Sequence, residues 1–595
     1  MNARTSRLVL WAACLLIIAV RWTVPQREVI TWDVFGYYLY LPATIIHDDI
    51  GLHDRVWLDD VLTTYGPSST LYQVVDGPEG GRVIKYSAGM ALAYSPFFVI
   101  AHAFAKPLGF PADGFSAPYQ ISITIGCLAF ALFGLFLLRR ILLTYFDDRW
   151  TAVLLVLVAL GTNYFQLTAW DGTLLTHSFL FTLYAALILA TIRWHAAPTI
   201  ACALWIGGLI GSITLVRPSE MVCALIPLLW GLGSATTRAT KWEGIKRHPG
   251  HIFFAALAFI IAVLPQLVYW KSVTGQWLFY SYVNPGEGFD FAEPHTWPYL
   301  VSFRKGWFIY TPLMFLAVCG IPLLWKRIPE AVWAIAIFLI VDLWVVSSWS
   351  CWWYAGGSFS ARSMVPTYAL LALPLGAFLQ FLWSWKILRV PVALGLSFGL
   401  LLNIFQTWQW TQGILSKERM TRPYYEAVFG KTKVTDATER LLLVERPLSS
   451  EEHFTDEANY TARDLFISTF EDRPDSVFHL TPEDPYSPGP DVPYETITQK
   501  DHAWIRTSAR LWVGESGQDP PTMIMTFHHN GEVYKYASST WTIPAGTRNT
   551  WVNTTMDYIT PEVRSIKDNL KVYIWNEHGG DHLVDDLRVQ VYERK

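Results

Sequence analysis

The chain has 595 residues, 52% of them hydrophobic and 16% charged, with a mean hydropathy of +0.27. It is too apolar overall for one soluble domain and too long for one core, which makes it a polytopic membrane protein. Its formal net charge of -4 averages loop charges with an acidic C-terminal part, so nucleic-acid binding has no support.

In chain order, Arg4 and Arg7 precede a first apolar run at 8–24, which reads as a retained anchor because no small-residue cleavage site follows it. Further apolar runs at 119–138, 150–166, 174–192, 200–216, 218–232, 251–270, 307–325, 331–346, 364–385 and 390–410 bring the expected spans to about eleven. A cytoplasmic N-terminus places Arg139, Arg140, Arg149, Arg193, Lys326, Arg327, Lys386 and Arg389 inside. An odd span count then sends the C-terminal region outside. The stretch 85–105 is apolar but broken by Gly89 and Pro96, and a full span there would spoil the charge pattern, so it reads as an interfacial helix.

The first outer loop, 25–118, is long and carries short helical pieces. The loop around Asn284-Pro285-Gly286-Glu287-Gly288 has the turn residues of a flexible connection. No internal repeat crosses the spans, which weighs against a transporter built from inverted halves. The expected domains are a membrane domain at 1–410, a linker at 411–493 and a β-sandwich at 494–595. Alternating runs such as Ala503-Trp504-Ile505-Arg506-Thr507 and Leu570-Lys571-Val572-Tyr573-Ile574-Trp575 supply the strands of a jelly-roll-like sandwich. Six cysteines fall in or beside apolar runs without paired or metal-type spacing, and none follows Cys351. Neither a disulfide framework nor a metal site is implied.

Asp33 stands in Thr31-Trp32-Asp33-Val34-Phe35-Gly36-Tyr37-Tyr38, where an acid and a run of aromatics meet the membrane surface. Such a carboxylate suits either a helix N-cap or a base that takes a proton from an incoming hydroxyl. Five outer-face charges break the orientation rule: Arg217, Lys271, Arg304, Lys305 and Arg362. Singly, each reads as snorkelling or local pairing, such as Arg217 with Glu220. Grouped near an acid-bearing loop, Arg217, Arg304, Lys305 and Arg362 suit a phosphate, and Lys85-Tyr86 is a further candidate with the same two readings. Asp171 and His177 lie at the outer end of the fourth span, where His177 suits either a polar site or a bond between helices. Trp352 and Trp353 suit either stacking on a sugar or the aromatic belt.

Over roughly 1–410 the arrangement resembles the GT-C superfamily of membrane glycosyltransferases, particularly bacterial relatives of protein O-mannosyltransferases and the aminoarabinose transferase. The residues that carry the likeness are Asp33, the 85–105 helix, Leu215-Val216-Arg217-Pro218 and Phe303-Arg304-Lys305-Gly306-Trp307-Phe308-Ile309-Tyr310-Thr311-Pro312. The resemblance implies a bacterial cytoplasmic membrane location, with the C-terminal domain periplasmic or extracellular. It implies a polyprenyl-phosphate-linked sugar as donor, drawn from the membrane lipids, and a glycan, lipid or protein acceptor. It further implies inverting transfer without metal or cofactor, with Asp33 as base and Arg217, Arg304 or Lys305 at the leaving phosphate, to which the charge pattern adds Lys85 and Arg362. Sugar or acceptor contacts fall to Tyr37, Tyr86, His177, Asp171, Trp352 and Trp353. Val34 follows Asp33 where the family commonly pairs Asp with Glu, which keeps Asp48 and Asp49 as alternative bases. A lipid or sugar transporter is the alternative function. A surface sandwich on a membrane anchor is a third, for which so many spans are excessive.

Overall fold

The structure is a computed structural model that describes residues 3–25, 28–170, 172–354, 357–417, 419–439, 441–442, 454–500, 502–514, 519–540 and 549–595. It divides into two units, one of 1–283 with 289–434 and one of 284–288 with 435–595.

In the first unit seven helices are long and apolar enough to cross a membrane: Arg4–Trp22, Ala117–Tyr145, Thr176–Ala196, Gly250–Thr274, Pro329–Ser347, Arg362–Ser384 and Lys386–Thr411. The pair Asp148–Leu160 and Asn163–Ala169, bent by 62°, makes an eighth if counted as one span. The expected count of eleven is therefore corrected to seven or eight among the described residues. Local chemistry explains the three that fall short. Ile200–Val216 stops where Arg217 turns to extended backbone ahead of Pro218. The run 218–232 holds a 3-10 turn, Pro218–Ala224, and a short helix, Leu225–Leu229. In 307–325, Pro312 and Pro322 divide the helix into Trp307–Tyr310, Pro312–Gly320, Ile321–Leu323 and Leu324–Arg327.

Breaks in a membrane helix leave backbone groups that must find partners inside the protein. At the 161–162 break, Asn403 Nδ2 donates to the Leu160 and Thr162 carbonyls at 2.8 and 2.9 Å. The Tyr368 hydroxyl donates to Asn163 Oδ1 at 2.5 Å and accepts from Trp307 Nε1 at 3.0 Å. Arg362–Ser384 is 78% buried over its apolar window and lies at the centre, whereas Gly250–Thr274 and Lys386–Thr411 are 11% buried and present their sides outward. Ile200–Val216 packs on Gly250–Thr274 at contact distance: a methyl added at Gly207 would lie 1.8 Å from the Ala255 carbonyl.

Between Arg4–Trp22 and Ala117–Tyr145 the chain carries helices Trp32–Tyr38, Tyr40–Ile45 and Arg55–Tyr65, then an antiparallel hairpin of β1 (Val74–Asp76) and β2 (Arg82–Ile84). The stretch expected as an interfacial helix is helix Gly89–Ala105. Met90, Tyr94, Phe98 and Ala101 are buried on one face of it, while Leu92, Val99 and Phe104 are exposed.

In the second unit the strands are β3 (Tyr460–Ser468), β4 (Phe478–Leu480), β5 (Asp491–Pro493), β6 (Trp504–Val513), β7 (Thr522–His529), β8 (Glu532–Thr540), β9 (Trp551–Ile559), β10 (Asn569–Trp575) and β11 (His582–Arg594). They form antiparallel sheets in the orders β3-β11-β6-β9, with β4 also on β11, and β5-β10-β7-β8. Alternate residues of both sheets, among them Leu511, Val589, Met525 and Val572, share one core. Strand pairing and shared core are those of a jelly-roll sandwich. The range 411–493, expected as a linker, instead contains helix Arg422–Val428 and strands β3, β4 and β5. Three of the sandwich's strands therefore precede residue 494.

A buried polar cluster in this unit holds the segment 284–288. Asp568 accepts from Tyr534 Oη at 2.6 Å and the Arg564 amide at 2.8 Å, and lies 2.6 Å from His529 Nδ1. The Arg564 guanidinium donates to the Pro285 carbonyl at 2.9 Å.

Candidate functional site

The β1/β2 hairpin builds the first half of the site. Val74 pairs with Ile84, and the Lys85 amide donates to the Gln73 carbonyl at 2.9 Å, which sets Tyr72 opposite Tyr86. Residues opposed across a ladder project to one face. Both phenols reach the same atom: Tyr72 Oη donates to Asp33 Oδ1 at 2.8 Å and Tyr86 Oη at 2.7 Å. Burial first, and the Asp33 charge second, push both hydroxyls well above the ordinary tyrosine range, so they stay protonated donors. Tyr37 is pushed up by the same two causes, opposed by Arg217 and Arg362.

Asp33 therefore does not cap its helix: Thr31 is the N-cap residue, and the Asp33 carboxylate faces the hairpin. Its other oxygen, Oδ2, lies 3.6 Å from Arg362 Nη2. The alternative acid Asp49 is occupied elsewhere. Burial would raise it, but the amides of His53 and Asp54 and the Trp57 indole bond its carboxylate and hold it below the usual range. Asp48 is exposed in the same turn.

The second half comes from the membrane helices. Arg217 ends Ile200–Val216, Arg362 starts the turn Arg362–Thr367, and Tyr354 joins them. Arg217 Nη2 donates to Tyr354 Oη at 3.2 Å, and the Arg362 guanidinium sits 4.8 Å from the Tyr354 ring centre. Tyr354 holds a left-handed backbone, φ 49°, which is strained for a bulky residue and is found where surrounding structure imposes it. Arg217 Nη1 and Arg362 Nε are buried without hydrogen-bond partners, and so is His177 Nδ1, whose ring centre is 6.5 Å from that of Tyr354. Unpaired buried donors are costly, about 1–3 kcal/mol each and more when charged. Arg217 Nη1 lies 3.8 Å from Glu220 Oε1, an ion pair longer than a hydrogen bond, so the two guanidinium groups stand close together with donors still to be satisfied.

Lys85 lies over three tyrosine rings, those of Tyr72, Tyr86 and Tyr282, at 5.4, 5.7 and 4.3 Å. It thus joins the hairpin half of the site. Arg304 and Lys305 have other neighbours: Arg304 stacks on Trp353 at 4.9 Å and Lys305 on Trp410 at 4.5 Å. Trp352 and Trp353 are buried, which replaces the lipid-belt reading, and the Trp353 indole N–H has no hydrogen-bond partner. Asp171 lies outside the described residues. Among the described residues no group of three or more His, Cys, Asp or Glu side chains is placed to hold a metal.

Sequence reading missed Tyr72, Tyr184 and Asp342. Tyr184 Oη donates to Glu220 Oε2 at 2.6 Å, and Glu220 lies 3.8 Å from Arg217. Asp342 is buried within Pro329–Ser347. An acid inside an apolar run is a signal by itself. For Tyr72 the signal was the pair of β-branched runs, Val74-Val75 and Val83-Ile84, around Asp76-Gly77 and Gly80-Gly81.

No family model and no curated protein matches the chain. Among solved structures it is similar to the arabinosyltransferase EmbB from Mycobacterium smegmatis, at 11% identity and a TM-score of 0.27, over 85% of this chain and 64% of that one. The chain thus spans less than two thirds of that structure's length.

Proposed function

We propose that the protein is a membrane glycosyltransferase that moves a sugar from a polyprenyl-phosphate donor to an acceptor hydroxyl at the outer face of the membrane. The observation that supports it is one carboxylate, Asp33, bonded through Oδ1 to two phenols, beside the guanidinium groups of Arg362, 3.6 Å from its Oδ2, and Arg217.

In this reading Asp33 Oδ2 takes the proton of the acceptor hydroxyl, because Oδ1 is already occupied. The acceptor oxygen bonds to the anomeric carbon from the face opposite the phosphate, the bond from that carbon to the phosphate oxygen breaks, and polyprenyl phosphate leaves with the electron pair. Arg217 and Arg362 stabilise the charge that develops on the leaving phosphate. Lys85 adds a positive charge on the hairpin side. Tyr37, Tyr86, His177, Trp352 and Trp353 supply hydroxyl, imidazole and indole groups toward sugar and acceptor. Arg304 and Lys305 serve by shaping the Trp353 and Trp410 walls. A cleft of about 500 Å³ beside the hairpin, lined by Leu71, Val74, Asp76, Arg82 and Phe279, is the approach assigned to the acceptor.

Binding of a short prenyl phosphodiester to the purified protein tests the phosphate half. Each charge-assisted bond contributes about 1.5–3 kcal/mol, so Arg217→Ala and Arg362→Ala should each weaken binding by roughly 10- to 100-fold. Unchanged affinity in both variants would overturn the assignment.

A further inference from the structure

Arg217 already has a counter-ion before any phosphate arrives. Glu220 lies 3.8 Å from it on the next turn and is 1% exposed. Its Oε2 accepts from Tyr184, and its Oε1 has no hydrogen-bond partner. A second carboxylate, Asp342, comes from the neighbouring helix, also 1% exposed, with Oδ2 unbonded. Asp342 is within electrostatic reach of both Glu220 and Arg217.

The groups facing Glu220 are Arg217 and Cys223 on its own segment, Tyr184 from Thr176–Ala196 and Asp342 from Pro329–Ser347. Asp342 also faces Tyr299. If Arg217 turns to a phosphate, Glu220 is left among a thiol, a phenol and another carboxyl, none of them a cation. A buried carboxylate without a cation is unfavourable, and two that share a pocket cannot both stay ionised. The added negative charge of the phosphate acts in the same direction.

We propose that Glu220 yields Arg217 to the incoming phosphate and takes one proton from water as it does so, so that each phosphate bound brings one proton with it. The inference rests on the reading of Arg217 as a phosphate ligand given above. Glu220 is then a positioning residue. It holds the guanidinium in place while the site is empty and becomes neutral when the site is filled, so no net anion accumulates beside the leaving phosphate.

The test is calorimetric titration of the full-length protein in lipid nanodiscs with a prenyl phosphodiester, in two buffers of different ionisation enthalpy. The probe has one fixed charge near neutral pH, so every proton taken up belongs to the protein. The wild type should take up about one proton per phosphodiester at about pH 7, and its affinity should fall as pH rises. Glu220→Gln should bind with almost no proton uptake and with an affinity independent of pH. Binding by the wild type without proton uptake overturns this inference and leaves the phosphate site standing. No binding at all overturns both. The wild-type measurement stands by itself should the variant not fold.

Discussion

Asp33 is held by two phenols on one oxygen, and that arrangement depends on Gly36. A methyl at Gly36 would lie 2.5 Å from the Tyr86 ring, so Gly36→Ala should push Tyr86 away from Asp33. With one of its two phenol donors lost, Asp33 is held less firmly toward the acceptor, which predicts a fall in kcat with expression retained. Full activity in Gly36→Ala would contradict the role given to Tyr86. The phenols also make a pH prediction. Their folded pKa values lie above the unfolded value of about 10, so the stability they contribute is complete below that pH and is lost as pH rises further. Tyrosinate absorbance should therefore match between wild type and a Tyr72→Phe/Tyr86→Phe double variant until the fold is lost. Extra absorbance in the wild type near pH 10 would contradict it. At this scale the sequence drew attention to Asp33 by its place after the first apolar run and to Arg217 and Arg362 as charges at the ends of apolar runs; the structure brings these three side chains near one another. The same signal marked Arg304 and Lys305, which lie against Trp353 and Trp410 instead. A charge pattern along the sequence says nothing of which ring a cation will meet.

Elements were legible as apolar runs and illegible as spans. Hydropathy averages across a proline, so 307–325 reads as one helix although Pro312 and Pro322 divide it. The break at Gly161-Thr162 escaped for a different reason: its stabilising partner, Asn403, is distant in sequence. Asn403→Leu would leave the Leu160 and Thr162 carbonyls without that donor. The cost is about 1–3 kcal/mol per group, and it should appear as a lower thermal unfolding temperature in detergent. An unchanged transition would show that the break is satisfied in another way. The hairpin was missed because the first loop reads as helical pieces, yet it is the hairpin register that brings Tyr72 to Tyr86.

At the scale of the molecule, the sandwich was legible in its alternating strands, and its early start was not, because β4 and β5 are short and lie in a Pro- and Asp-rich stretch. Within that unit Asp568→Ala would strand the buried donors of Tyr534 and Arg564 beside His529. Removing one member of such a buried charged cluster costs about 3–5 kcal/mol, so the sandwich should unfold at a clearly lower temperature, and cleavage of 284–288 by protease should quicken as Arg564 loosens. Wild-type proteolysis rates in that variant would contradict the clamp. The membrane unit carries the central claim, that Asp33 takes the proton while Arg217 and Arg362 hold the leaving phosphate. The most direct measurement is sugar transfer from polyprenyl-phosphate donors by purified wild type and Asp33→Asn, with binding of a prenyl phosphodiester measured on the same preparations. The account predicts transfer by the wild type, none by Asp33→Asn, and binding retained in both; equal turnover in the two proteins would contradict it.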